Sequence, residues 1–288
     1  MVVKEVRQGM RRGIFIVPFL GIHVLCVLAI WLEFKTGFES GYTDYTGVLN
    51  LFLFWPGTSL FSGIFWLVVG MTCGVIMPLG GLSIMREELE EGNHELLLLT
   101  RVTRWEAVGG KFLALWGLIM LTFVSLLPYV MVRYFTGDWD TKRTLALVGT
   151  VVLGSGLACA VTIGASAYRT NGGRLAVLTL FVGSMVFGGV VPLAFAAGIS
   201  KECGFWYHLN VLVICLCYGL LGLGLARAKL RLALRFHESK PQRVFVRFVI
   251  FIPFISWIVT ALTGGYFGSL GMLLFAWLAW NTDKEMSD

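Results

Sequence analysis

Long apolar stretches alternate with short polar ones along the whole chain. The apolar runs cover 13–33, 51–84, 112–132, 145–167, 175–199, 207–226 and 248–280. About 20 helical residues, rising 1.5 Å each, cross the roughly 30 Å hydrocarbon layer of a membrane. Each run therefore predicts a transmembrane helix. The pattern is that of an all-α, polytopic transmembrane helix bundle with six core spans and a C-terminal apolar block. The second run is long for one crossing and predicts a helix that projects from the membrane and bends near Pro78. The last run carries Gly264-Gly265 near its middle, which predicts two short helices in a hairpin. The first follows a basic start (Lys4, Arg7, Arg11, Arg12) but is too long for a cleaved signal core. It ends in "AIWLEF" with no small-x-small site, so a retained span is expected.

Composition narrows the class. The chain is 57% hydrophobic and 14% charged, against about 25% charged in soluble domains. No polar stretch exceeds about 27 residues, which leaves no room for a separate globular domain. Lysine and arginine set the expected orientation. With the N-terminus in the cytoplasm, segments 1–12, 85–111, 168–174 and 227–247 hold 17 basic residues, and outer loops 34–50, 133–144 and 200–206 hold 5. Trp31, Trp55, Trp139 and Trp206 then fall near the outer interface, where amphipathic rings sit well. Small residues recur at four-residue spacing: Gly70 and Gly74, then Gly156, Ala160 and Gly164. That spacing lets helices approach closely in lipid, either within the chain or at a dimer seam, with packing within the chain the favoured use.

Several chemistries are not encoded. The four histidines (23, 94, 208, 237) form no HExxH pair. "FGSLGM" around Ser269 lacks the spacing of a nucleophile elbow. "GGK" at 109–111 fails the phosphate-loop pattern, with Trp105 five residues before Gly110 and Phe112 after Lys111. The six cysteines contain no CxxC and read as small buried thiols. Acid or base residues at mid-span usually mark ion paths. His23 alone stands clearly inside one, and it reads as a hydrogen-bonded packing residue. No catalytic, metal or nucleotide site and no cofactor is expected in this chain.

The segment between the second and third runs is unusual for a membrane loop. Residues 86–111, REELEEGNHELLLLTRVTRWEAVGGK, hold six glutamates and a four-leucine block. Arg86–Glu91 continues the preceding helix, and Gly92 suits its stop. Asn93 can cap a short helix over His94–Leu99. Thr103-Arg-Trp-Glu106 is a capping box that opens the next helix. Glu87, Glu88, Glu90 and Glu91 crowd a helix C-terminus, where the macrodipole disfavours anions. Arginines of 227–247, such as Arg231 and Arg235, are expected to balance them. Leu96, Leu97, Leu98 and Leu99 cannot all face one core.

This stretch resembles the cytoplasmic loop of ABC exporter permeases of the type-2 class. That loop commonly reads E-R-E-x-G-T-x-E-L-L-L-T-P-x-S-R-x-E-x-x-x-G-K. Matches are Gly92 and Glu95 and, after one extra leucine, Leu97, Leu98, Thr100, Arg104, Glu106, Gly110 and Lys111, with Glu87 one place ahead of the pattern's first glutamate. Asn93 replaces the usual threonine and Arg101 the usual proline. The resemblance implies an exporter-like transmembrane domain over 1–226 with its coupling loop at 85–111. A basic cytoplasmic segment, 227–247, and an extra membrane block with a short tail, 248–288, would follow. It implies the membrane subunit of an ATP-driven exporter, paired with a second permease subunit and seated on separate cytoplasmic ATPase subunits. Residues implied to contact the ATPase are Glu87, Glu88, Gly92, Asn93, Glu95, Leu96–Leu99, Thr100, Arg104, Glu106 and Lys111. Lipid is the other expected contact, and nucleic acid is not among them. The alternative is a non-transporting membrane scaffold or regulator that docks a cytoplasmic partner.

The charge bias makes a direct prediction. A membrane-impermeant thiol reagent applied from outside should leave cysteines introduced at positions 93 and 238 unmodified in intact cells. Modification of either reverses the orientation.

Overall fold

The computed structural model describes residues 6–7, 9–10, 13–36, 63–83, 104–135, 141–168, 170–191, 205–234, 242–263, 272 and 277. Among them no strand occurs, and the helices are α1 (Gly13–Thr36), α2 (Ile64–Met71), α3 (Arg104–Ser125), α4 (Leu127–Phe135), α5 (Thr141–Ser166), α6 (Asn171–Met185), α7 (Phe205–Leu234) and α8 (Gln242–Thr263). Six apolar stretches are long enough to cross a bilayer: Phe15–Lys35, Ile64–Ser83, Trp105–Phe135, Leu147–Ser166, Asn171–Gly189 and Leu209–Arg227. The chain is an all-α, multi-pass membrane protein.

Helix ends depart from the apolar limits for a local reason. α7 runs on to Leu234, two turns past the last expected apolar residue at 226. Its tail, "ARAKLRLAL", is rich in strong helix formers and contains no glycine or proline to stop it. α3 begins at Arg104, the second residue of the capping box, and not at 112. α6 begins at Asn171, capped by Thr170, whose Oγ1 accepts from the Gly173 N–H at 3.1 Å. α8 begins at Gln242 inside the basic segment and ends at Thr263, just before Gly264-Gly265. The second arm of the expected hairpin lies outside the described residues, apart from Met272 and Trp277.

Prolines set the irregularities within the spans. Pro78 has no N–H for the carbonyl of Gly74, four residues back. The chain around it leaves α geometry: α2 gives way to a π-helical turn at Thr72–Ile76, where the Met77 N–H reaches Thr72. The span closes with Met77–Leu79 and a 3-10 turn at Gly80–Ser83. Pro128 acts in the same way on the third span. The ladder tightens to three-residue bonds, Leu126 N–H to Phe123 O and Tyr129 N–H to Leu126 O, and α4 starts afresh.

Two compact units are distinguished, Met1–Gly80 with Leu113–Cys159, and Gly81–Phe112 with Ala160–Asp288. In the first, α1 packs on α2 and on its π-turn, and α4 also packs on α1. Ile22, Cys26, Phe65, Val69 and Cys73 are buried there. Gly156 faces Trp116, whose indole Nε1 would lie 3.3 Å from a Cβ at that position. In the second unit, α6, α7 and α8 pack on one another. Here a Cβ on Gly164 would come 2.5 Å from the Gly222 carbonyl oxygen, and a Cβ on Gly222 would come 2.6 Å from the Ala160 oxygen. Main-chain atoms cannot move aside as a flexible side chain can. The Gly156, Ala160, Gly164 stripe is thus used in packing within the chain.

Gly222→Ala should therefore lower stability by about 1–3 kcal/mol, the usual cost of overpacking. Gly183→Ala is the control, because nothing lies within 4 Å of its added Cβ. Thermal unfolding in detergent should separate the two. Equal behaviour would remove the backbone contact as an explanation.

Candidate functional site

Most of the predicted coupling loop lies outside the described residues: Glu87, Glu88, Gly92, Asn93, Glu95, Leu96, Leu97, Leu98, Leu99 and Thr100. Its C-terminal end is described and forms the first turns of α3. Arg104 opens that helix, and Glu106 follows in its first turn, where a carboxylate complements the macrodipole. The Glu106 side chain is exposed, whereas Lys111 is only 4% exposed. Burial at that level places Lys111 inside this chain's own packing. Trp105 is half-buried, and the Arg227 guanidinium lies 5.2 Å from its ring centroid. This cation–π contact ties the base of α3 to α7, at the first arginine of the basic segment. Sequence reasoning missed the pair. Its signal was a tryptophan inside a charged motif and an arginine at the end of an apolar run.

His23 lies in the middle of α1, as the sequence indicated, and both of its ring nitrogens are engaged. Nδ1 is 3.3 Å from the Tyr129 hydroxyl and Nε2 is 3.2 Å from Ser125 Oγ. Ser125 Oγ also donates to the Thr122 carbonyl at 2.6 Å. Ser125 and Tyr129 flank the break that Pro128 makes between α3 and α4. The histidine is a hydrogen-bonded packing residue at that break.

A charged corner that the sequence did not single out joins the ends of α1, α2 and α4. Arg133 Nε donates to Glu33 Oε2 at 3.0 Å, with side-chain exposures of only 13% and 10%. Glu33 Oε1 accepts from the Phe65 N–H at 2.8 Å, so the carboxylate occupies the start of α2. That is the favourable end of the helix dipole for an anion. The Arg133 guanidinium lies 5.5 Å from the Phe65 ring centroid. Gly63 has φ +112°, and a Cβ there would come 2.5 Å from Glu33 Oε1, so both the backbone and the carboxylate require glycine. The signal was one acid at the end of the first apolar run and one arginine at the end of the third.

Set against family models, curated proteins and solved structures, the chain matches none. Among the described residues no group of three or more His, Cys, Asp or Glu could hold a metal ion. The described cysteines are free thiols, all buried except the half-buried Cys215.

The charged corner can be tested by which partner is removed. Glu33→Ala removes the carboxylate partner of Arg133 in a largely buried place and should cost about 3 kcal/mol. Replacing both with apolar residues, Glu33→Leu with Arg133→Met, should recover much of the loss. A double variant less stable than Glu33→Ala would show that the ion pair itself carries the stability.

Proposed function

We propose that this chain is the membrane subunit of an ATP-driven ABC exporter of the type-2 class, in the cell membrane with its N-terminus in the cytoplasm. The carrying observation is the run from Gly92 to Lys111, which matches the coupling-loop pattern of those permeases at nine positions once one extra leucine is allowed in the block Leu96–Leu99. Two structural features support the reading. Six apolar spans are present. The helix that follows the loop starts at Arg104, and Trp105, its second residue, is tied to α7 through Arg227. A push on the loop would thus reach α3 and α7 together.

In this reading Leu96–Leu99 seat in an apolar groove on a separate ATPase subunit. Closure of two ATPases on ATP then drives the spans of two permease subunits between two states. The charge of the segment argues against the alternative in which this helix lies in the lipid headgroups. Residues 86–95 carry five glutamates and one arginine, and the cytoplasmic leaflet is itself anionic. Helices that lie in that interface normally carry lysine and arginine.

The test is a double change, Leu97→Asp with Leu98→Asp. Each buried leucine contributes about 1.5–3 kcal/mol. At about 1.4 kcal/mol per tenfold, binding to the ATPase should weaken by roughly 10²–10⁴-fold. The variant should still insert and fold, because the loop lies outside the bilayer. Co-purification of an ATPase with the wild-type chain and its loss from the variant is the expected result. Unchanged retention would sink the coupling-helix reading. A partner lacking ATPase activity would favour the scaffold.

A further inference from the structure

Two helices of the second unit are broken at the same place, and each is repaired by the other. α8 contains Pro253. A proline has no N–H to give the carbonyl four residues back, which here belongs to Val249. Ser184 of α6 donates its hydroxyl to that Val249 oxygen at 2.6 Å. α6 in turn leaves α geometry at the π-turn Val186–Val190, which begins two residues after Ser184. Within that turn the carbonyl of Phe187 accepts from the Trp257 indole of α8 at 3.0 Å. Gly188 makes the approach possible: a Cβ there would come 2.9 Å from the Pro253 Cα. Tyr218 of α7 completes the cluster. Its hydroxyl donates to the Ser184 carbonyl at 2.8 Å and lies 2.9 Å from Ser184 Oγ. Tyr218 and Ile252 are among the most deeply buried side chains of the protein.

Each interruption has an ordinary structural use, since a proline kink or π-turn can simply fit a helix to its neighbours. Their pairing says more. Inside a bilayer a helix can flex at a break only if the freed backbone groups find partners. Here those partners are side-chain hydroxyl and indole groups, which can re-form bonds over a range of helix angles. π-turns also occur often at functional sites. We propose that the π-turn of α6 and the Pro253 break of α8 form one paired hinge. Ser184, Tyr218 and Trp257 latch it, and α8 changes its angle to α6 there as a unit. The C-terminal block is then a working part of the bundle and not an appendage to the six spans.

The experiment uses the full chain in detergent and reads thermal midpoint and hydrogen exchange by mass spectrometry. Ser184→Ala leaves Val249 without its donor and should lower the midpoint by about 3–6 °C. Ser184→Thr keeps the hydroxyl and should restore most of that loss. Pro253→Ala returns an N–H to α8, which can then satisfy Val249 from within its own helix. In that background Ser184→Ala should cost less than half as much. For the hinge itself, Trp257→Phe should speed exchange together in peptides covering 186–191 and 249–257, while peptides from the middle of α7 stay unchanged. An equal cost of Ser184→Ala in both backgrounds would overturn the latch. Exchange that rises in only one helix, or in neither, would overturn the paired hinge. Should Pro253→Ala fail to fold, the Ser184→Thr comparison and the Trp257→Phe exchange still decide.

Discussion

In hydrocarbon there is no water to accept a backbone hydrogen bond, so every carbonyl that a helix frees must be answered from within the protein. The described spans are organised around this constraint. Each contains few polar side chains, and those with resolved partners mostly reach backbone carbonyls. Thr122, Ser125, Ser155, Ser166 and Thr263 donate to carbonyls three or four residues back in their own helices. Trp116 donates to the Val152 carbonyl at 3.3 Å. Ser184 and Trp257 do the same across a helix interface, where a proline and a π-turn have opened both ladders. The alternative at each break is an unsatisfied group costing several kcal/mol, far more than an ordinary hydrogen bond contributes. Breaks and polar residues are thus placed together.

Packing follows from the same medium. Lipid tails are as apolar as leucine, so burying leucine gives little drive to bring spans together. Close contact between backbones has to supply what hydrophobic burial cannot. Gly164 and Gly222 allow α5 and α7 to meet main chain to main chain, and Gly188 lets α6 reach the kink of α8. Glycine at these positions costs helix propensity of about 1 kcal/mol each. In return the helices approach closely enough for van der Waals contact and for side-chain bonds such as Ser184 to Val249. Bulky apolar residues are left facing outward, among them Val17, Val24, Phe34, Phe187 and Leu262.

The number and order of the spans were legible in the sequence because hydropathy measures the bilayer directly. The helix ends were less so, since leaving the membrane does not stop a helix. α7 continues to Leu234 for reasons of propensity. Of the four-residue small stripe, the use was readable and the partner was not: nothing local marks Gly222 as the residue opposite Gly164. The polar contacts were least legible of all. Ser184 and Val249 are 65 residues apart, and His23 and Tyr129 are 106 apart. Pro253 announces that some donor is needed, but not which one. The π-turn at Val186–Val190 is marked in the sequence by Gly188-Gly189 and by Pro192, which stands two residues past it as Pro78 stands two past Thr72–Ile76. At the candidate site, the charge pattern and the capping box gave the start of α3. The hold of Arg227 on Trp105 needed the tertiary structure.

Charge among the described residues is concentrated at the ends of the spans. Glu33, Arg133, Arg174 and Arg227 all lie at the ends of apolar spans. Each is fixed there by named partners. Arg174 donates to the Tyr168 carbonyl at 2.7 Å and to Asn171 at 3.2 Å, as Glu33 holds Arg133 and Arg227 covers Trp105. Among the described residues the acidic or basic side chain at mid-depth is His23, with both nitrogens committed to Ser125 and Tyr129. Groups already bound to the protein's own backbone and side chains have little left to offer a passing ion. The backbone ladders themselves are open at Thr72–Ile76, at Leu126 and at Val186–Val190. A helix bends at such an opening at the loss of fewer backbone bonds than anywhere else in lipid.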